Sequence, residues 1–278
     1  MKACNVKYHK KTKSRNGVMI IGLPGVGLVG RLAAEYLATS FKGVHVASLY
    51  SDAFPPNIIS TPDSTVHIIR NEVFKISTKK GKKARDVYVL VGDAQPALPP
   101  QGFYNAQHAF SADLIELASK LGCKSVYTIA GLPSQDRVKQ GSKVSALATT
   151  KEAFKQLKGS YTKTGPGLPV NGAAGLALQY ALMNGLDGAC LISTTSPELV
   201  YPDFGAAAAI LKVLDSSLSL GLDVKVLDKK SKEFEVQLKK ALKAQEFVPK
   251  QQQQEIPRGY EFPKEQVKND GRFPSYIR

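Results

Sequence analysis

The apolar residues of this chain fall into short runs that alternate between two periods. Val18-Met19-Ile20-Ile21 is apolar without a break, the mark of a strand buried on both faces. A glycine-rich turn follows, and Leu28 to Phe41 then places Leu28, Leu32, Ala33, Tyr36 and Leu37 on one face of a helix. Val44–Tyr50 reads as a second strand, closed by Phe54-Pro55-Pro56. Thr65–Ile69 and Glu72–Ser77 read as strands around Arg70-Asn71, and Val87–Val91 as another buried strand. Beyond them the pattern predicts a helix over Tyr104–Leu121, strands at Ser125–Ala130 and Val144–Ala148, and a short helix at Glu152–Leu157. A helix at Asn171–Met183, a strand at Ala189–Ser193 and a helix at Phe204–Leu220 come next. The last of these is apolar nearly all round, so it belongs in the interior, whereas Ser231–Gln245 reads as a charged, amphipathic helix.

Alternating strands and helices predict an α/β fold, a mostly parallel sheet with helices on both faces. The alternation spans residues 17–246, which reads as a single α/β domain. Residues 1–16 read as a disordered basic arm. From Pro249 the pattern stops: Gln251–Gln254, Pro257, Pro263 and Pro274 mark residues 247–278 as an extended mobile tail, with Tyr260, Phe262, Phe273, Tyr276 and Ile277 spaced along it.

Charge sharpens this division. The 278-residue chain has a formal net charge of +15. Lys2, Lys7, Lys10, Lys11, Lys13 and Arg15 lie in the arm, and Lys79, Lys80, Lys82, Lys83 and Arg85 in one loop, with no acid in either stretch. The excess therefore sits in an arm and a loop, not in the folded body. Neither run is interleaved with a ladder of aromatic residues for base stacking, so nucleic acid is not the expected partner. The uncharged stretch Thr164–Leu186 is interrupted by Pro166, Pro169, Asn171 and Gln179, so no membrane span is expected. Cys4, Cys123 and Cys190 include no Cys-x-x-Cys pair and read as buried, reduced thiols of a cytoplasmic protein.

The most pointed local signal is Gly22-Leu-Pro-Gly-Val-Gly-Leu-Val-Gly30. Within it Gly25-x-Gly27-x-x-Gly30 matches the dinucleotide fingerprint between a strand and a helix, and Asp52 lies where a ribose-binding acid would sit. The same glycines serve a sharp strand-to-helix turn with close packing, and Pro24 removes one N–H donor. Other strand ends carry similar punctuation: Gly92-Asp93-Ala94-Gln95-Pro96, Gly131-Leu132-Pro133 and Gly165-Pro166-Gly167-Leu168-Pro169. In a parallel sheet these loops gather at the carboxyl edge, which predicts a shared lip of Gly22, Pro24, Asp93, Gln95, Pro96, Gly131, Pro133, Gly167 and Pro169. Asp93 and Gln95 could hydrogen-bond a ligand or tie the loop down.

No catalytic constellation emerges. His9, His45, His67 and His108 have no metal-ligand spacing, and neither a Gly-x-Ser-x-Gly elbow nor a phosphate-binding Gly-x-x-x-x-Gly-Lys loop occurs. Asp93 and Asp203 could form a carboxylate pair, although helix capping by Asp203 is the plainer reading. No cofactor, metal or catalytic residue is expected.

Five blocks in order resemble the proteasome assembly chaperone 2-like family, in its archaeal-type single-domain form. They are Gly22–Gly30, Gly92–Pro96, Gly131–Pro133, Gly165–Gly175, and Pro202-Asp203 with Ala206, Ala207 and Leu211. The resemblance covers about Gly17 to Ala241. It implies a three-layer α/β/α sandwich like that of purine nucleoside phosphorylases, self-association as a homo-oligomer, and a non-enzymatic chaperone role in assembling the proteasome core particle. Some members dock on the core particle through a C-terminal hydrophobic-Tyr-any tripeptide. This chain ends Ser275-Tyr276-Ile277-Arg278, with Tyr276 third from the end, so Tyr276, Ile277 and Arg278 are the candidate docking residues. The alternative reading is a nucleotide- or nucleoside-binding enzyme built on the Gly25–Gly30 turn.

Overall fold

The computed structural model describes residues 3–78, 85–96, 105–196 and 202–223, together with residues 226, 228, 229, 231–233 and 236. Lys79–Lys83 of the basic loop, most of the predicted helix Ser231–Gln245, and the tail with Tyr276, Ile277 and Arg278 lie outside the described residues.

In chain order the elements are β1 (Asn5–Tyr8), β2 (Gly17–Gly22), α1 (Val29–Ser40), β3 (Val44–Tyr50), β4 (Ile58–Ser60), β5 (Val66–Ile68), β6 (Asn71–Ser77) and β7 (Asp86–Gly92). They continue with α2 (Asn105–Lys120), β8 (Cys123–Pro133), α3 (Arg137–Gln140), β9 (Val144–Ala148), α4 (Lys151–Lys155), β10 (Thr162–Lys163), α5 (Gly172–Met183), β11 (Asp187–Thr195) and α6 (Phe204–Leu218). Nine strands form one sheet in the order β1-β3-β6-β7-β2-β8-β11-β9-β10, and β4 pairs with β5 in a separate ribbon.

The centre of the sheet, β7-β2-β8-β11, is parallel throughout. All six residues of β2 are buried, as an unbroken apolar run requires when both sheet faces are covered. Alternation along the strand divides the core. Val18 and Ile20 face α1 and α6, whereas Met19 and Ile21 face α2 and α5. The result is the expected three-layer α/β/α sandwich. Outside it the pairing turns antiparallel, with β6, β3 and β1 stacked outward from β7 and β9 antiparallel to β11, while β10 pairs parallel to β9 at the far edge. Helix α6 is interior as its composition predicts, with Ala206, Ile210, Leu211, Val213 and Leu214 all buried. Among the described residues no helix is long and apolar enough to cross a membrane.

The arm departs from expectation. Asn5–Tyr8, within the segment predicted to be disordered, forms the outermost strand, with Asn5 opposite Tyr50 and Tyr8 opposite Ala47. The backbone N–H groups of Ala3 and Cys4 donate to Asp113 Oδ2 at 2.7 and 2.8 Å, and Ser14 N–H donates to Leu121 O at 2.8 Å. Strand β3 otherwise leaves a free row of backbone groups, and even a polar segment gains by pairing with it. Exposed polar residues on an edge strand mask its periodicity in the sequence.

Candidate functional site

The loops after β2, β7 and β8 leave the carboxyl ends of central parallel strands, whereas Gly165–Pro169 follows β10 on the margin that runs antiparallel to β11. After β2 the chain makes one 3-10 turn at Val26–Leu28 before α1 begins. Gly27 holds φ +64°, a left-handed conformation that favours glycine. A Cβ there would lie 2.5 Å from Thr195 Oγ1 and 3.4 Å from Asp203 Cβ. Gly27 O also accepts a hydrogen bond from Asp203 N–H at 2.8 Å. Gly30 lets α1 press onto the turn, since a Cβ at that position would stand 2.8 Å from Leu23 O. Gly22 packs under the same helix against Gly30 O, and Gly131 packs against Val26 O.

This packing corrects the dinucleotide reading. In that motif the second glycine opens space for a pyrophosphate, but here the corresponding space holds Thr195 and the carboxylate-bearing Asp203. Asp52 is not near the turn. It lines a different cleft, beside β1, with Tyr8, Tyr50, Asp113 and Glu116. Gly25, Gly27, Gly30 and Asp52 therefore do not form one binding site. The glycines are required by chain-to-chain contact, which a sequence motif cannot distinguish from contact with a ligand.

The expected lip does converge. Pro24, Gln95, Pro96, Gly131, Pro133 and Pro169 line one cleft of about 550 Å³, together with Gly25, Gly30, Leu168 and the start of α5. Gln95 joins its two sides. Its amide N–H donates to Pro24 O, and its Oε1 accepts from Ala173 N–H at 3.2 Å. Gln95 thus ties the loops down. Gly22 lies beneath the cleft, and Gly167 occupies an open turn at φ +79°, where a Cβ would meet nothing within 4 Å.

Asp93 is withdrawn from the cleft into a buried ion network. Arg31 Nη1 donates to Asp93 Oδ1 at 2.8 Å and to Gly92 O at 2.6 Å. His67 Nε2 meets Asp93 Oδ2 at 2.5 Å, and Arg70 N–H donates to the same oxygen at 3.2 Å. Asp203 has its own cation. Arg137 grips it through Nε–Oδ2 at 3.0 Å and Nη2–Oδ1 at 2.8 Å, with both side chains fully buried. Asp203 Oδ1 also accepts from Ala206 N–H at 2.9 Å, so it caps α6 as expected. Each carboxylate is matched to a separate guanidinium, and the pair considered for acid–base work does not form.

Sequence reasoning misses Arg31, His67 and Arg137 as partners. Arg31 carries one signal, a cation among the apolar positions of α1. Arg137 carries none, because its partner is 66 positions away. His9 and His45 look unrelated along the chain, yet they stack at 4.2 Å and both hydrogen-bond Ser48 Oγ, at 2.9 and 3.1 Å. Burial holds the His45 imidazole below its ordinary pKa, against the opposing pull of Glu72, with a further lowering from His9. Among the described residues no cluster of three or more His, Cys, Asp or Glu could hold a metal. The three thiols are buried, and burial pushes Cys4 and Cys123 up to about 12 and Cys190 to about 11, so each is an unreactive thiol at neutral pH. The cleft is walled by prolines and aliphatic side chains, with Gln95, Gln107 and Asn171 as its polar side chains.

Three similarities bear on what such a molecule is. The Methanocaldococcus jannaschii protein MJ1210 is 32% identical over 245 residues, covering 87% of this chain and 89% of that protein. The crystal structure of Pyrococcus furiosus PbaB, described as an archaeal proteasome activator, superposes with a TM-score of 0.75 at 27% identity, covering 87% of this chain and all of that one. Pyrococcus furiosus PbaA, described as an archaeal homolog of proteasome-assembly chaperone, gives a TM-score of 0.66 at 23% identity, covering 87% and 93% of the two chains. Residues 19–242, which span all but the first two residues of the parallel centre of the sheet and both helical layers, match the PAC2 family, and the chain belongs to that family.

Proposed function

We propose that this protein is a non-enzymatic, chaperone-type binding protein that assists assembly of the proteasome core particle. It acts in the cytoplasm, self-associates, and engages core-particle subunits partly through Tyr276-Ile277-Arg278. One observation carries the reading: PAC2 membership over residues 19–242, joined to a 27% identical structure that is matched over its full length and is described as a proteasome activator. The internal use of Asp93, Asp203 and Gln95 supports it, because the polar residues of the loop edge are engaged in holding the fold. An aromatic-bearing terminus offers apolar anchors on a polar chain, which suits capture of a groove on a larger assembly.

The test is a pull-down with proteasome α subunits, comparing the full chain with a form lacking Tyr260–Arg278. The full chain should retain the subunits and the shortened form should lose most of them. Retention by neither form would sink the reading, and equal retention by both would remove the tail from it.

A further inference from the structure

Two histidines from separate stretches of the chain meet over one buried hydroxyl at the edge of the sheet. His9 directly follows β1, and His45 lies on β3. His9 Nε2 meets Ser48 Oγ at 2.9 Å and His45 Nε2 meets it at 3.1 Å, with Ser48 only 1% exposed. The partners fix the direction of these bonds. His45 Nε2 also meets Ala47 O at 3.2 Å. A carbonyl oxygen only accepts, so this nitrogen carries a proton and donates. Ser48 Oγ then accepts from His45, and its O–H donates to His9 Nε2. The relay is complete with both rings neutral. It fastens one end of β1, where His9 N–H also donates to Val46 O at 2.8 Å. The other end is held separately, by the Asp113 carboxylate on the Ala3 and Cys4 N–H groups.

We propose that the His9–Ser48–His45 relay is an acid-sensitive latch: uptake of protons by the stacked pair frees the Tyr8–Lys10 end of β1 and uncovers the outer edge of β3. A proton on His9 Nε2 turns the acceptor of the relay into a donor and strands the buried Ser48 hydroxyl. A proton on His45 places a cation on a half-buried ring. With both charged, two like charges stand 4.2 Å apart. Little around the pair neutralises them. Glu72 Oε1 lies 3.5 Å from His45 Nε2, but the same oxygen accepts from Arg70 Nε at 3.0 Å. Lys7 stands opposite Ser48, Lys10 follows His9, and Lys42 precedes β3. Of the charges on the neighbouring elements, Lys75 of β6 is paired with Asp86, and Arg31 with Glu35 on α1. The same balance appears at His45, whose pKa is lowered by burial and further by His9 against the pull of Glu72. The latched form thus takes up protons less readily than the open one, so falling pH favours opening. The opened form presents the free row of backbone groups of β3.

The experiment follows amide hydrogen exchange of the full-length protein by mass spectrometry, on peptides covering residues 5–12 and, as references, β2 and α6. Exchange is measured from about pH 8 to about pH 5, the range in which imidazoles ordinarily charge, and corrected for the intrinsic pH dependence of amide exchange. Protection of residues 5–12 in the wild type should fall several-fold across that range while β2 and α6 keep theirs. His9→Gln, at an exposed position, keeps a side chain that hydrogen-bonds but cannot charge. Its protection should match the wild type at the alkaline end and change little on acidification. Asp113→Asn tests the tether at the other end of the strand, and it should retain the wild-type pH dependence. Wild-type protection that does not vary with pH overturns the latch. So does a fall that persists in His9→Gln, or one that vanishes in Asp113→Asn, which would assign the acid sensitivity to the carboxylate.

Discussion

At the scale of single residues, the buried Arg137–Asp203 pair ties the segment after β8 to the start of α6. Both side chains are fully buried, and Asp203 caps α6 and bonds the glycine turn through its backbone. Removing one partner leaves an uncompensated buried charge, which costs about 3–5 kcal/mol. Arg137→Ala should therefore lower the urea-unfolding free energy by that amount; a loss under about 1 kcal/mol would show that the pair is not a structural keystone. His45 gives a pH prediction with a definite sign. Burial lowers its folded pKa below the ordinary 6.5, against Glu72 and with His9 and Arg70 nearby. Between 6.5 and the lower folded value the unfolded chain binds more protons, so stability is present above 6.5 and declines as pH falls through that window. The melting temperature of His45→Gln should decline less over that range than that of the wild type. Parallel curves would assign the acid sensitivity elsewhere.

At the scale of elements, amphipathic pattern and composition foretell α1, β2, α6 and the parallel centre, because each obeys a period set by its own geometry. Strand β1 is not legible. Its four residues are mostly exposed, and what holds the segment is the open edge of β3 and the Asp113 carboxylate, 110 positions from Ala3. Removing residues 1–8 should cost on the order of 2 kcal/mol, mainly from losing the burial of Cys4 and Val6 and the pairing along β3. Denaturant unfolding measures this directly, and an unchanged midpoint would restore the reading of a free arm. The β4–β5 ribbon is half legible. The Thr65–Ile69 run predicts a strand, but Ile58–Ser60 gives no signal, because a three-residue strand falls below any useful period. His67 on β5 anchors the ribbon to Asp93.

At the scale of the whole molecule, the loops that end the parallel strands converge because every such strand points its carboxyl end the same way. Pro24, Gln95, Pro96, Gly131 and Pro133 accordingly share a cleft, and Pro169 joins it from the segment after β10, on the antiparallel margin. The glycine fingerprint nonetheless gives a chain-packing turn. Calorimetry with ATP, NAD and nucleosides should record no binding heat; a saturable signal abolished by Gly27→Val would revive the nucleotide reading. The alternation of strand and helix, the glycines where chains press together and the convergence of the strand ends are written in the order of residues, since each follows from local periodicity and the handedness of parallel connections. Tertiary structure alone decides which guanidinium neutralises which carboxylate and that Asp52 faces a separate cleft. Those outcomes depend on which distant segments share a desolvated space, and no repeat or spacing along the chain encodes it.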